Sequence, residues 1–225
     1  MRIVAFGPSE MYGHGLADCI SSTDSYLSGP EPSKLAYPNL VATALNCECL
    51  NLSKPGSASL DILIKILNFS YQEDDIVLVQ WPSLGTVTLV SENNNLINIH
   101  PWMAEEPFKI LKHAVGSSLM KYQADMAKLT IYEQMDIAKN FYKSHSDKHL
   151  SIINWLYMDH AALHLNRVGI RKIFAGGDSW NIEDSLVPDH RDFYNCSDFL
   201  DFTADGHHPG PLWHNFIASK ILKLI

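Results

Sequence analysis

Three positions in this chain have residue types and spacing that offer chemistry: Ser9, Gly56 and the run Asp205-Gly206-His207-His208-Pro209-Gly210-Pro211. A serine hydroxyl is a weak nucleophile at neutral pH and needs a general base beside it. A carboxylate three residues before a histidine, with glycine between and proline after, suits a tight loop. In such a loop the acid orients the imidazole, and the imidazole takes a proton from a hydroxyl. A glycine in a turn lets a backbone N–H approach a developing oxyanion. Each position also has a plainer reading. Ser9, followed by Glu10 and Met11, fits a helix N-cap. Gly56 fits an ordinary turn, and the Asp205 to Pro211 run fits a surface turn rich in Gly and Pro.

Metal chemistry is the second option to weigh. His207, His208 and His214 cluster in sequence, with Asp189, His190 and Asp205 nearby. Adjacent histidines are not the His-x-x-x-His spacing of a zinc site, and no glutamate base accompanies them. His160 and His164 have i, i+4 spacing but no third ligand. No metal and no cofactor are therefore expected, and His14, His160, His164 and His190 read as ordinary surface or boundary histidines. Cys19, Cys47, Cys49 and Cys196 form no Cys-x-x-Cys unit, and Cys47 and Cys49 read as small apolar fillers of a strand. Trp81, Trp102, Trp180, Trp213 and Tyr12 are candidates for an apolar acyl or sugar platform. Core or rim packing is the plainer reading of any one of them, but Trp81 and Trp180 gain weight because both follow expected strand ends.

The elements that must position these residues follow from hydrophobic pattern. Residues 2 to 6 are a short apolar run ending in Gly7-Pro8, which reads as a buried strand meeting a turn. A polar loop covers 22 to 36, and 37 to 46 has helical spacing. Residues 49 to 53 read as a second strand, broken by Lys54-Pro55-Gly56, and Ser57 reads as the N-cap of a helix over 58 to 70. Residues 76 to 79 are an all-apolar run of the kind that suits a parallel strand buried on both faces. Residues 86 to 90 and 96 to 99 flank Glu92-Asn93-Asn94-Asn95 and read as a hairpin. Helical stretches over 117 to 144 and 149 to 167 follow, the second closed by Gly169 as a C′ residue. A fourth strand is expected over 170 to 175 and a fifth over 199 to 202. Pro211 opens the last helix, where proline is tolerated.

Alternation of this kind predicts a three-layer α/β/α sandwich on a mostly parallel five-stranded sheet. The whole chain reads as one domain with an inserted hairpin and helix at about 84 to 145. Ligand sites in such folds lie at the carboxyl ends of the strands. That rule selects Gly7-Pro8-Ser9, Lys54-Pro55-Gly56, Gln80-Trp81-Pro82-Ser83 and Gly176-Gly177-Asp178-Ser179.

Composition sets the outer bounds. The 225 residues are 46% hydrophobic and 19% charged, with a formal net charge of −8. That is enough chain for one domain with a real core. The acidic balance, with no basic stripe, disfavours nucleic-acid binding. No apolar run reaches membrane-spanning length, so no membrane partner is expected. The N-terminus is strand and turn, without the apolar stretch and cleavage site of a secretory signal, so the chain reads as cytoplasmic. The helices at 117 to 167 exceed what the sheet requires; they either cap the site or pair with a second copy in a homo-oligomer.

The order of the motifs resembles the SGNH, or GDSL-like, hydrolase family. That family places its serine after the first strand, a glycine after the second, an asparagine after the third and Asp-x-x-His near the C-terminus. Here Phe6-Gly7-Pro8-Ser9 stands where the family has Gly-Asp-Ser, and Asn51-Leu52-Ser53-Lys54-Pro55-Gly56 resembles its second block. Asp205-Gly206-His207-His208-Pro209 resembles its last block closely. The resemblance spans residues 2 to about 222. Met11-Tyr12-Gly13-His14-Gly15-Leu16, Gln80-Trp81-Pro82-Ser83 and the hairpin after it look like a divergent branch, one associated with phage and environmental bacterial sequences. The resemblance implies a flavodoxin-like fold and hydrolysis of a small acyl ester, for instance an O-acetylated carbohydrate. Ser9 would be the nucleophile, His208 the general base and Asp205 its orienting acid. The N–H groups of Ser9 and Gly56 would hold the oxyanion, and Tyr12, Trp81, Trp180 and His207 would contact substrate.

The chain departs from the family in two places. Its third block has no asparagine, and the Ser83 hydroxyl is expected to substitute. Pro8 replaces the aspartate before the nucleophile. Two readings outside plain hydrolysis follow from these departures: a weakly active or inactive carbohydrate-binding module on the same fold, and an O-acyltransferase using the same triad. Gly177-Asp178-Ser179 spells the Gly-Asp-Ser signature literally. It follows the fourth strand, however, and leaves too little chain before Asp205 for the other blocks, so Ser179 is set aside as a nucleophile.

Overall fold

Strict alternation along three apolar runs builds the centre of the molecule. The computed structural model describes residues 1–22, 28–83, 85–91, 95–104, 124, 128–176, 201–203 and 208–225, together with the backbone of 193–195. In chain order the elements are β1 (Arg2–Phe6), the one-turn helix α1 (Ser9–Tyr12), α2 (Tyr37–Ala44), β2 (Glu48–Asn51), α3 (Ser59–Asn68) and β3 (Asp75–Gln80). The hairpin strands β4 (Val87–Val90) and β5 (Leu96–Ile99) follow, then a 3-10 turn over Pro101–Ala104 and the helices α4 (Ile131–Ser144) and α5 (Asp147–Arg167). The chain closes with β6 (Arg171–Gly176), β7 (Phe193–Asn195) and α6 (Pro211–Leu222).

The main sheet has the order β2-β1-β3-β6-β7, and every pairing in it is parallel. Side chains of a strand alternate between faces, and here the two faces carry separate cores. Ile3, Ala5, Ile76, Leu78, Ile173 and Ala175 point to one side, where they pack with Tyr37 and Val41 of α2 and Trp213, Ile217 and Ile221 of α6. Val4, Phe6, Val77, Val79 and Phe174 point to the other, against Ile62 and Ile66 of α3 and Met158, Ala161 and Leu165 of α5. The result is the expected α/β/α sandwich on five strands. β1 and β3 are buried along nearly their whole length, which is why they read as unbroken apolar runs. At the far end of the sheet from Ser9, the Arg2 guanidinium forks onto the Asp75 carboxylate at 2.8 and 2.7 Å.

The segment between β3 and α5 has a hydrophobic core of its own. Ile97, Ile99 and Met103 pack with Met135 and Ala138 of α4, walled by Val87, Leu89, Trp102 and Phe141. Tyr142 ties the helix to the hairpin by donating its hydroxyl to the carbonyls of Gly85 (2.6 Å) and Ile99 (3.0 Å). Thr130 starts α4 with a reciprocal capping box to Glu133, a residue pairing that satisfies two otherwise orphaned donors. The part of the expected helix from 117 to 127 lies outside the described residues, apart from Ala124, which is helical.

Three expectations are corrected. Ser57 does not cap α3; Ala58 occupies the N-cap position without a side-chain bond, and the Ser57 hydroxyl accepts from Lys65 Nζ at 3.3 Å instead. The fifth strand of the sheet is Phe193–Asn195; of the strand expected over 199 to 202, residues 199 and 200 lie outside the described residues, and Phe202 makes a single antiparallel bridge to Pro209. Trp81, expected in a loop, continues the β3 backbone: its N–H donates to the Ala175 carbonyl at 2.8 Å. Among the described residues no helix is long and apolar enough to cross a membrane.

Candidate active site

The strand order makes a reversal at the β1/β3 boundary, because the chain proceeds outward from β1 to β2 and then outward on the other side from β3 to β6 and β7. At such a switch point the connections leave in opposite directions and open a crevice at the carboxyl ends of the two strands. Ser9 stands there, as the first residue of α1. It is not the N-cap; Pro8 is, and it supplies no side-chain bond. The Ser9 hydroxyl, half-buried, lies 3.3 Å from Glu10 Oε2.

The backbone around Ser9 is tightly built. Its carbonyl accepts from the N–H groups of Gly13 and His14, both at 3.0 Å. Gly13 closes the turn at φ +82°, and a Cβ there would stand 2.5 Å from Ser33 Cβ. Gly7 has no such backbone demand, but a Cβ there would meet Met11 Sδ at 2.8 Å and Gln80 Cβ at 3.2 Å, so the β1 and β3 ends approach closely only because this residue is glycine. The second block runs beside the first. Lys54 N–H donates to the Gly7 carbonyl at 3.0 Å, and Asn51 Nδ2 donates to the Met11 carbonyl at 2.9 Å. Gly56 follows in a turn at φ +74°. Its carbonyl accepts from Asn98 Nδ2 at 2.8 Å, which fastens the inserted hairpin to this turn.

His208 is held where residues 208–210 pair with 201–203. Gly210 N–H donates to the Asp201 carbonyl at 3.0 Å and Thr203 N–H to the His208 carbonyl at 2.9 Å. These two bonds pair residues 201–203 with 208–210 just before α6. The Asp201 carboxylate then closes that helix, with Oδ2 accepting from Leu212 N–H and Oδ1 from Trp213 N–H, each at 3.0 Å. The His208 ring lies half-buried against the His14 ring, centroids 4.2 Å apart and planes 24° from parallel. His14 is in turn buried, at 4% exposure, and its Nδ1 is hydrogen-bonded to Ser28 Oγ. Positions 9 and 208 are thus linked through one residue, which bonds to the Ser9 carbonyl by its amide and stacks on His208 by its ring.

Below this layer, His214 is fully buried, and its Nδ1 accepts from Tyr37 N–H at 3.2 Å. Nδ1 is therefore the bare nitrogen, and the proton sits on Nε2. Burial, with His208 nearby, pushes the His214 pKa down to about 4 against the opposing pull of Asp201 and the Pro209 carbonyl. The Tyr37 hydroxyl donates to Gln80 Oε1 at 3.1 Å, so the end of β3 and the start of α6 share one polar link.

The expected site residues fall into three groups. Ser9, at the start of α1, and Gly56, Ser83 and His208, on loops, all lie at the carboxyl end of the sheet, Ser83 exposed with its hydroxyl 3.0 Å from Thr86 Oγ1. Thr86 Oγ1 is 3.3 Å from His100 Nδ1, so the Ser83 hydroxyl heads a chain of three polar groups. Burial pushes the His100 pKa down to about 4. Two expected substrate contacts are corrected. Trp81 is fully buried and packs edge-on against Phe174 at 5.7 Å, because the alternation that sends Val77 and Val79 to one face sends residue 81 there too. Tyr12 is 7% exposed, and its hydroxyl donates to the Gly29 carbonyl at 2.8 Å, so it pins a loop and offers no platform. Asp205, His207, Trp180 and the set-aside Ser179 lie outside the described residues.

Sequence reasoning passed over His14, which it placed at the surface. The signal was Gly13-His14-Gly15: both glycines adopt positive φ, +82° and +78°, and such a pair turns the chain sharply enough to bring the intervening side chain back over the serine turn. Asp201 gave no comparable signal, since it caps a helix that starts ten residues later.

No family model matches the chain, and no curated protein is similar to it at a significant level. Solved structures do share its fold. A carbohydrate esterase described as displaying divergent catalytic and non-catalytic binding functions is similar at a TM-score of 0.50 and 11% identity, over 99% of this chain and 67% of that one. An acetyl xylan esterase from the rumen bacterium Butyrivibrio proteoclasticus is similar at a TM-score of 0.50 and 12% identity, over 99% of this chain and 62% of that one. A lipolytic protein of the G-D-S-L family from Veillonella parvula is similar at a TM-score of 0.37 and 11% identity, with 99% and 97% covered. The chain spans about two thirds of the length of the two esterases. At these identities the likeness is one of fold, the α/β/α architecture shared with the two esterases.

Proposed function

We propose that this protein hydrolyses a small acyl ester, with Ser9 as nucleophile, His208 as general base and Asp205 as the acid that orients it. The observation that carries this reading is the convergence of the Ser9 turn and the His208 loop at the switch point, joined through the His14 ring. In the reaction, Ser9 Oγ attacks the carbonyl carbon while His208 takes its proton. The tetrahedral oxyanion is received by the N–H groups of Ser9 and Gly56 and by the Ser83 hydroxyl. His208 returns the proton to the departing alcohol, and water, activated the same way, releases the acid. Each oxyanion donor in such a site contributes about 3 to 4 kcal/mol of transition-state stabilisation.

The two esterases at a TM-score of 0.50 act on carbohydrates according to their descriptions, which supports an O-acetylated sugar as the substrate class. The formal charge of −8 favours a neutral ester over an anionic one. Trp180 and His207 remain the proposed substrate contacts, and water rather than a second alcohol is the proposed acceptor.

A second reading has an observation of its own. The Ser9 hydroxyl is directed at Glu10 and the Ser83 hydroxyl at Thr86, an arrangement that suits a carbohydrate-binding module with an idle site. One experiment separates the two: incubation with a chromogenic acetate ester, with and without a serine-directed phosphonate, followed by peptide mass analysis. Hydrolysis requires turnover that the phosphonate abolishes, a covalent label on Ser9, and loss of activity in Ser9→Ala and His208→Ala. An unlabelled Ser9 and no turnover would favour the binding module, and a label on Ser179 would overturn the choice of nucleophile.

A further inference from the structure

We infer that His14 is a positioning residue for His208, holding the plane of the imidazole so that its nitrogen faces the Ser9 hydroxyl. This rests on the assignment of Ser9 and His208 as nucleophile and base. The argument begins with what a hydrogen bond can and cannot fix. A carboxylate bound to one ring nitrogen sets that nitrogen's position, yet it leaves the ring free to tilt about the bond axis. A flat neighbour in face contact removes the tilt. His14 is such a neighbour: its ring lies 4.2 Å from that of His208, 24° from parallel.

A brace must itself be held, and His14 is held at both ends. Its N–H donates to the Ser9 carbonyl at 3.0 Å, which fixes the residue to the serine turn. Its Nδ1 is hydrogen-bonded to Ser28 Oγ, which fixes the ring from the opposite loop. At 4% exposure it has no room to swing into solvent. Ser28 precedes Gly29, whose carbonyl accepts from the buried Tyr12 hydroxyl at 2.8 Å and whose N–H donates to the Cys19 carbonyl at 3.1 Å, so the anchoring loop is itself tied down. The chain of support runs from Tyr12 and Gly29 to Ser28, then His14, then His208. Tyr12 thus has a role toward the base although it does not touch substrate. A flat ring also tolerates the imidazolium that forms on His208 when the serine proton moves, since a cation over an aromatic face is attracted to it.

The test compares His14→Ala, His14→Phe and Ser28→Ala in the full chain. Misplacing a catalytic group by as little as 1 Å costs up to about 100-fold in rate, so His14→Ala is expected to lower kcat about tenfold or more. KM should stay within about twofold, because His14 is not placed against substrate. His14→Phe keeps a flat face and should recover most of the lost kcat, and Ser28→Ala, which frees only the far side of the brace, should fall between. NMR gives the readout that bulk destabilisation would not move. The His208 ring protons are shifted by the stacked His14 ring, and the shift should vanish in the Ala variant and persist in the Phe variant. Unchanged His208 resonances in His14→Ala would overturn the inference, whatever the activity. Lost stacking with wild-type kcat would overturn the catalytic part. If instead Ser9→Ala or His208→Ala hydrolyses ester as fast as the wild type, the assignment of nucleophile and base fails, while the resonances still decide whether His14 holds the ring. Should His14→Ala not fold, the Phe and Ser28→Ala variants carry the same two readouts.

Discussion

Replacing Asp201 by alanine removes the carboxylate that closes α6, and the cost can be followed donor by donor. The first four N–H groups of a helix have no partner within it. In α6, the N-cap Gly210 N–H goes to the Asp201 carbonyl at 3.0 Å, and Pro211 has no N–H. Leu212 and Trp213 remain, and both go to Asp201 at 3.0 Å. A hydrogen bond to a charged acceptor is worth about 1.5 to 3 kcal/mol. The Leu212 bond is at the surface and water replaces much of it, whereas the Trp213 bond is part-buried. Adding about 0.3 to 1 kcal/mol for a negative charge at a helix N-terminus, Asp201→Ala should destabilise the fold by about 2 to 3 kcal/mol. Asp201→Asn keeps one acceptor and loses the charge, so it should cost about half as much. For a chain of this size each kcal/mol moves the midpoint by about 2 to 4 °C, and urea unfolding gives the free energy directly. Because Asp201 also begins the loop that carries His208, ester turnover per folded molecule should fall as well. An alanine variant within about 0.5 kcal/mol of wild type, the range of an inert surface change, would refute this reasoning.

Three further outcomes are expected. Gly210 has an ordinary φ of −85°, yet a Cβ there would lie 2.3 Å from Asp201 Oδ2; Gly210→Ala should therefore lower the thermal midpoint by displacing the same cap, and Gly210→Ala in an Asp201→Ala background should cost much less. Buried His214, with a pKa near 4 against 6.5 in the unfolded chain, binds its proton later than the unfolded state does. Its contribution is full above about pH 6.5 and erodes by up to about 1.4 kcal/mol per pH unit as the pH falls toward 4; urea unfolding at pH 7, 6 and 5 should show that slope, and a His214→Asn variant should flatten it. Burial alone would raise the Asp75 pKa, but the Arg2 fork and the Gln72 N–H bring it below its ordinary value, so its stabilisation holds above the unfolded carboxylate pKa and is lost only at more acid pH. Asp75→Asn should lower the midpoint at neutral pH and leave ester turnover per folded molecule unchanged, since the pair sits at the opposite end of the sheet.

The parts of the fold that were legible are those where burial dominates the choice of residue. β1 and β3 lie between two helical layers, and nothing but apolar side chains suits both faces. The hairpin was legible for a different reason: alternation on either side of an Asn-rich turn. β7 was not legible because a strand of three residues is too short to write a period. Trp81 and Tyr12 differ from the expected platform because an aromatic residue type, and for Trp81 a position after a strand end, does not by itself imply access. In Trp81 the strand continues one more pair, and in Tyr12 the hydroxyl satisfies a loop carbonyl. The placement of Ser9 after β1 and of His208 just before α6 was visible in the order of the motifs. His14 and Asp201 were not, because a stacking brace and a remote cap depend on what a distant loop brings alongside them.

The parallel sheet has a consequence for how the chain tolerates the long excursion between β3 and β6. No ladder of the main sheet grows out of a tight turn: Arg2 pairs with Glu48 and Asp75, and Ile76 pairs with Arg171. Each pairing first requires a long loop to close, and the entropy of closure rises only as the logarithm of loop length, about 0.6 kcal/mol for each doubling. The hairpin and helix between β3 and β6 therefore cost the folded state little, and the small core under α4 offsets that cost. The larger charge is on the folding rate, which falls as contacts become more distant in sequence. The excursion from β3 to β6 sets that distance for the two strands that carry the centre of the sheet.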